Sequence, residues 1–381
     1  MLKNLCLTLS VLLVVITCSA KPMDEIELLI SKMSVKEKVG QLFVVRPDAL
    51  QSKIKPEEVM FHDNQGLTEI TDDVKKFYEK FPVGGVVLFP KNIESPKQLR
   101  TFTEEIHHLG KIKPFIYIDE EGGPVSRLAN HSAFALPRFR SMQDIGRTED
   151  TRLAFIAGKS IGEYLTEFSI DVDFAPVADV NSNPDNPIIG PRAFSEDPEI
   201  AAKMSVSLLQ GLESNGKVLG CMKHYPGHGD TNTDTHKTYT KSDKTWDELK
   251  ECELIPFVEG INSGVNYIMV GHINYPNVTG DLLPASLSPY LLKEKLRNEL
   301  GFKGLIISDA MCMDAIKNYY KEEEACVMAL NAGVDLLLMP YDFEKSFNAV
   351  QKAVKSKKIA PDELNQKLYR ILSLKAKMNQ N

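Results

Sequence analysis

Eight short apolar runs recur along the chain with polar, helix-patterned stretches between them, at 41–45, 83–89, 114–121, 172–180, 217–224, 266–273, 304–311 and 335–340. Each is rich in Val, Ile, Phe and Leu and lacks the strict polar alternation of a half-exposed strand, as expected for parallel strands buried on both faces. The intervening segments show amphipathic spacing, clearest at 200–211, 247–262 and 319–332, the last ending at Gly333. Eight strands alternating with helices predict an α/β chain folded as a (β/α)8 TIM barrel in a single catalytic domain over 21–381. A doubly wound open sheet is the structural alternative, but no GxGxxG follows the first run.

In a barrel the C-terminal ends of the strands form the working face, so polar residues there carry more meaning than elsewhere. They collect at those ends here. The third run closes on Asp119-Glu120-Glu121-Gly122-Gly123, the fifth on Lys223-His224, the sixth on Gly271-His272 and the seventh on Ser308-Asp309. The other ends carry ordinary turn and capping residues. This one-sided polarity points to an enzyme; the plain alternative is that strand ends meet water wherever they stop.

The densest chemistry lies at 223–236, where Lys223, His224, His228, Asp230, Asp234 and His236 surround Pro226-Gly227. Pro226 lacks a donor N–H and Gly227 and Gly229 disfavour a helix, so the stretch reads as a loop. Two chemistries suit it, beside the plainer reading of a solvated loop with incidental polar residues. His224, His228, Asp234 and His236 are ligand types for a catalytic zinc, although their spacing differs from the helical HExxH pattern. Alternatively, Asp234 and His236, two apart in an extended segment, place both side chains on one side. An aspartate on one ring nitrogen would then fix the tautomer of a histidine that donates and accepts protons near neutrality. Asp309, leaving an apolar strand, is placed to act as a carboxylate nucleophile, or more plainly as a helix N-cap. His272 either lines the pocket or satisfies a core hydrogen bond, the second being preferred. His107 and His108 lie on a helix and carry no signal.

Composition narrows the class. The chain has 381 residues and a formal net charge of -7 with no basic block, which argues against a nucleic-acid binder. Residues 1–20 combine Lys3, an apolar run at 11–16 and small residues at Cys18, Ser19 and Ala20, the layout of a secretory signal peptide. An exported protein, periplasmic or secreted, is expected, with lipidation at Cys18 as the alternative to cleavage after Ala20. Cys221, Cys252, Cys312 and Cys326 form neither a disulfide framework nor a zinc pattern. Trp246 sits in a charged helical segment and is expected to pack rather than stack on a ligand. Asn130-His131-Ser132 and Asn277-Val278-Thr279 match glycosylation acceptors.

Five ordered motifs resemble glycoside hydrolase family 3, in its single-domain β-N-acetylglucosaminidase (beta-hexosaminidase) branch. They are Met33 through Leu42, Asp119-Glu120-Glu121-Gly122-Gly123-Pro124-Val125-Ser126-Arg127, Pro187 through Pro198, Lys223 through His236, and Ile307-Ser308-Asp309-Ala310-Met311-Cys312-Met313. Pro124 departs from the family pattern, which usually has Arg there. The resemblance implies a retaining glycosidase without cofactor or metal. In it Asp309 is the nucleophile, His236 the acid/base and Asp234 its dyad partner, while Asp119, Arg127, Arg192, Lys223 and His224 hold the hydroxyls of a terminal sugar. The implied substrate is terminal β-linked N-acetylglucosamine of peptidoglycan fragments or chitooligosaccharides, because the histidine-bearing loop separates this branch from the β-glucosidases. A phosphorylase or β-glucosidase of the same family remains an alternative, as does an exported sugar-binding barrel without catalysis.

Overall fold

The computed structural model describes residues 24–60, 66–231 and 240–379. The expected leader with Cys18 lies outside them, and so do Asp234 and His236.

Each of the eight apolar runs holds a strand: β1 Phe43–Val45, β2 Gly85–Leu88, β3 Phe115–Ile118, β4 Val172–Asp173, β5 Leu219–Tyr225, β6 Tyr267–Val270, β7 Leu305–Ser308 and β8 Leu337–Leu338. They pair in parallel in chain order, and β1 also pairs with β8 through Phe43 and Leu337. A parallel bridge between Ile307 and Leu336 joins the seventh and eighth strands and closes the ring. This is the (β/α)8 barrel the sequence predicts. Most strands are shorter than their runs, and 172–180 shows why. Pro176 has no N–H to give a ladder, so pairing beyond Asp173 continues only as single bonds such as Ala178 N–H to Lys223 O.

Helices cover the barrel in the crossovers: α1 Asp72–Lys80, α2 Pro96–His107, α3 Thr151–Glu167, α4 Pro198–Leu212, α5 Ile255–Asn262, α6 Glu322–Ala332, α7 Phe343–Lys355 and α8 Pro361–Met378. The stretch 247–262 is not continuous. A short helix, Trp246–Glu251, ends before α5 begins, because Pro256 fits only the first turn of a new helix. The expected helix at 319–332 starts later, at Glu322, where three consecutive glutamates occupy the first turn and face the positive end of the helix dipole.

The barrel interior is packed with rings. Tyr117 of β3 stacks on Phe174 just past β4 at 5.4 Å and meets Tyr267 of β6 edge-on at 6.2 Å, all three fully buried. At the N-terminal end of the barrel, α8 acts as a seal. Its Lys375 Nζ donates to Gln41 Oε1 at 3.0 Å, Gly84 O at 2.6 Å and Lys113 O at 3.0 Å, groups that lead into β1, β2 and β3. Arg370 of the same helix donates to the Asp335 carboxylate at 2.7 Å and Lys367 to Val334 O at 2.8 Å, where the chain approaches β8. Burial pushes the Lys375 ammonium down to about 7, and three acceptors answer it there. Cys221, Cys252, Cys312 and Cys326 are free thiols. No described helix is long and apolar enough to cross a membrane.

Candidate active site

A cavity of about 780 Å³ opens at the C-terminal end of the strands, the face the sequence marks as polar. Its floor begins at Asp119, the first residue past β3. Beyond it Glu120–Gly122 pairs antiparallel with Val125–Ser126, in a hairpin whose turn needs Gly122 and Gly123 at φ +83 and +77. The hairpin returns Arg127 to Asp119, with Nη2 3.2 Å from Oδ2. Glu120 points away from the cavity and holds this loop in place: its carboxylate accepts the N–H groups of Leu128 and Ala129 and the hydroxyl of Tyr164.

Four of the expected sugar-binding residues, Asp119, Arg127, Arg192 and Lys223, meet in one ionic network through Glu121. Lys223 of β5 donates from Nζ to Asp119 Oδ1 at 2.8 Å and lies 2.6 Å from Glu121 Oε1. Arg192, in a 3-10 turn at Gly190–Arg192, grips Glu121 with two parallel bonds of 2.8 and 2.9 Å. Burial alone would raise the carboxyls, but the facing cations outweigh it. Lys223 and Arg127 hold Asp119 well below the usual carboxylate range, while Arg192 and Lys223 bring Glu121 down to about 2. The Lys223 ammonium, which burial would discharge, is driven upward by the same two carboxylates. All members are therefore ionised at neutral pH and present fixed donors and acceptors to a polyhydroxylated ligand.

β5 continues to Tyr225, so Lys223 and His224 are strand residues and the loop starts only at Pro226. His224 lines the cavity with Nδ1 2.7 Å from Asp179 Oδ2. Asp179 is fully buried and also accepts the backbone N–H of His224 and, at 2.6 Å, that of His228. His228 braces the loop: its Nδ1 lies 2.8 Å from Thr231 Oγ1, and its carbonyl accepts from Asn186 Nδ2. Burial, with His224 beside it, pushes the His228 imidazole down to about 4. Gly229 passes so close to Val180 that a Cβ would sit 1.6 Å from the Val180 carbonyl oxygen.

Asp309 lines the same cavity from β7, opposite β3 in an eight-membered ring. Its N–H donates to Val270 O at 2.9 Å and its Oδ1 accepts the Ala310 N–H at 2.7 Å. It is not a helix cap, because the helix Asp314–Lys317 follows Met313. His272 is buried between Ser286 Oγ at 2.7 Å and Ala310 O at 3.1 Å, so it satisfies core hydrogen bonds and steadies the segment after Asp309. Trp246 packs: it is buried and donates to Glu299 at 2.7 Å. Pro124, the departure from the motif, sits in the exposed hairpin turn.

The cavity thus gathers Asp119, Arg127, Arg192, Lys223, His224 and Asp309. Asp234 and His236 lie outside the described residues. In the sequence Glu121 stands only as one of the acids ending the third run, and Asp179 carries a single usable signal, an acid inside the apolar run 172–180. Nothing in the sequence marked Arg46, Phe89 or Tyr341, which complete the wall. Among the described residues no group of three or more His, Cys, Asp or Glu side chains is placed to hold a metal ion.

Residues 34–374 match the family described as "Glycosyl hydrolase family 3 N terminal domain". The chain is 32% identical over 343 residues to "Beta-hexosaminidase A" of Pseudoalteromonas piscicida, covering 83% of this chain and 57% of that protein. It is 36% identical over 266 residues to "Beta-hexosaminidase" of Nitrosomonas eutropha, covering 68% of this chain and 74% of that one. Among solved structures it resembles a glycoside hydrolase family 3 β-N-acetylglucosaminidase from Paenibacillus sp. str. FPU-7, with a TM-score of 0.82 and 31% identity over 91% of this chain and 63% of the other. Against the Pseudoalteromonas and Paenibacillus proteins, therefore, the chain spans less than two thirds of the relative's length.

Proposed function

This chain belongs to glycosyl hydrolase family 3, and from that premise we propose that it is an exo-acting, retaining β-N-acetylglucosaminidase. The observation that carries the reading is the placement of Asp309 just past β7, across one cavity from the ionised network of Asp119, Glu121, Arg192 and Lys223 on and after β3 to β5. A glycosidase of this type needs a rigidly aimed carboxylate on one side of the anomeric carbon and hydroxyl-binding groups around the ring. The relatives named for hexosaminidase activity supply the sugar class.

In this mechanism the Asp309 carboxylate attacks the anomeric carbon as the bond to the leaving oxygen breaks, and the His236 imidazolium passes its proton to that oxygen. A water then gives a proton back to His236 and attacks the same carbon, which frees Asp309 and returns the anomeric configuration to its starting hand. Asp234 orients His236 and stabilises its charged form. Asp119, Arg127, Arg192, Lys223 and His224 hold the terminal sugar. The substrate is an oligosaccharide ending in β-linked N-acetylglucosamine, from peptidoglycan or chitin, met after export under the leader at 1–20 or from a lipid anchor on Cys18.

Release of a fluorophore from a β-N-acetylglucosaminide, measured for the wild type, Asp309→Asn and His236→Ala, tests the proposal. An inactive wild type, or full activity in Asp309→Asn, would overturn it. Product analysis with added phosphate separates hydrolysis from phosphorolysis: glycosyl phosphate in place of free sugar would replace water as the acceptor.

A further inference from the structure

The cavity is chemically unequal on its two sides. Toward β3, β4 and β5 the polar groups are buried and committed to one another, whereas past β7 and β8 the wall reaches solvent through Asp314, Lys317 and Tyr341. Three aromatic side chains line the cavity, and each has a neighbour on its ring. Phe174 is buried against Tyr117, and Phe89 is covered by the guanidinium of Arg46 at 3.8 Å with that of Arg127 at 5.3 Å. Tyr341 remains at the mouth.

A charged neighbour meets the ring without burying it. Lys317 Nζ stands 5.2 Å from the ring centroid and 3.0 Å from Asp314 Oδ1. Ring, ammonium and carboxylate make one corner of the rim, with the Asp314 and Lys317 side chains 36% and 39% exposed.

We infer that Asp314, Lys317 and Tyr341 form the leaving-group subsite, which binds the second sugar of the substrate while the terminal one is held beyond Asp309. The inference rests on the glycosidase reading above. A leaving group must depart first, so it belongs on the side of Asp309 that opens to water. A pyranose offers a C–H face and a rim of hydroxyls. Tyr341 supplies a flat apolar surface for the face, and Lys317 and Asp314 supply a donor and an acceptor for the rim.

The test compares two substrates that share the terminal sugar and differ in the leaving group: the β-1,4-linked N-acetylglucosamine disaccharide and β-N-acetylglucosaminyl fluoride, whose leaving group is too small to reach the rim. Tyr341→Ala is expected to lower kcat/KM for the disaccharide about tenfold, the loss of one good contact. The fluoride should be cleaved within about twofold of the wild-type rate, which also certifies that the variant is folded. Lys317→Met should act in the same direction with a smaller loss. An equal fall on both substrates, or no fall on the disaccharide, would overturn the subsite. A wild type that cleaves neither substrate would instead sink the glycosidase reading, and the subsite with it.

Discussion

Lys223 and Glu121 lie 2.6 Å apart at the bottom of the cavity, both almost fully buried, and each helps to keep the other charged there. Lys223 also holds Asp119, so one ammonium serves two carboxylates.

Removing that ammonium should therefore cost more than a surface ion pair would. Lys223→Met leaves Asp119 with Arg127 and Glu121 with Arg192, each still buried and less well neutralised. A loss of about 3–5 kcal/mol in unfolding free energy is expected, as for other broken buried pairs. Catalytic efficiency should fall by roughly a hundredfold or more, the usual effect of deleting one charged donor from a site. Urea denaturation and initial rates measure the two losses separately.

Glu322 should make the protein less stable as pH rises. Burial raises its carboxyl to about 7, and the nearby Asp342 carboxylate adds to this, although the Asp342 N–H donates to it at 2.5 Å. The folded form then holds a proton that the unfolded chain releases near 4.5, so stability is highest below 4.5 and declines until the pH passes about 7. Glu322→Gln keeps an acceptor and removes the titration. Thermal denaturation should show the variant more stable than wild type by about 1–2 kcal/mol at pH 8, with the gain vanishing near pH 4.

Gly229 fixes where the loop after β5 crosses Val180. With a Cβ 1.6 Å from the Val180 oxygen, Gly229→Ala must push the two segments apart. A destabilisation of about 2–3 kcal/mol is expected from overpacking of this kind. Because the same loop carries His228 and leads toward His236, activity should drop further than stability alone explains. A melting curve beside a rate measured well below the melting temperature tells the two apart.

Chelation separates the two chemistries open to the histidine loop. A proton-transfer dyad on Asp234 and His236 needs no ion, so hydrolysis should continue unchanged after dialysis against excess chelator. Activity lost to the chelator and restored by zinc would move the assignment to a metal site.

The barrel was legible in the sequence because buried parallel strands leave continuous apolar runs, and all eight runs hold a strand. Asp119, Lys223 and Asp309 were legible for a related reason: each charge ends an apolar run, so its place on the working face follows from the strand that carries it. The break before α5 was also available, since Pro256 stands within the stretch read as one helix. Tyr341 was not. It follows β8 among other apolar residues, and only the closure of β8 against β1 and the turn of Lys317 toward it give the ring a role at the rim. Asp179 was hidden differently, because its partners His224 and His228 lie 45 and 49 residues away in the chain.

The seal made by α8 bears on how the protein is born. Lys375 satisfies Gln41, 334 residues earlier, and Phe43 of β1 finds its outer neighbour only in Leu337. As the chain leaves the ribosome, the first strands emerge with one edge unpaired and their lower ends open, and they stay so until β8 and α8 have been made. Long-range closure of this kind is slow and exposes sticky edges meanwhile. A nascent chain stalled before α8 should be sensitive to protease along β1 and dependent on chaperones, and release of the whole of α8 should convert it to the resistant barrel.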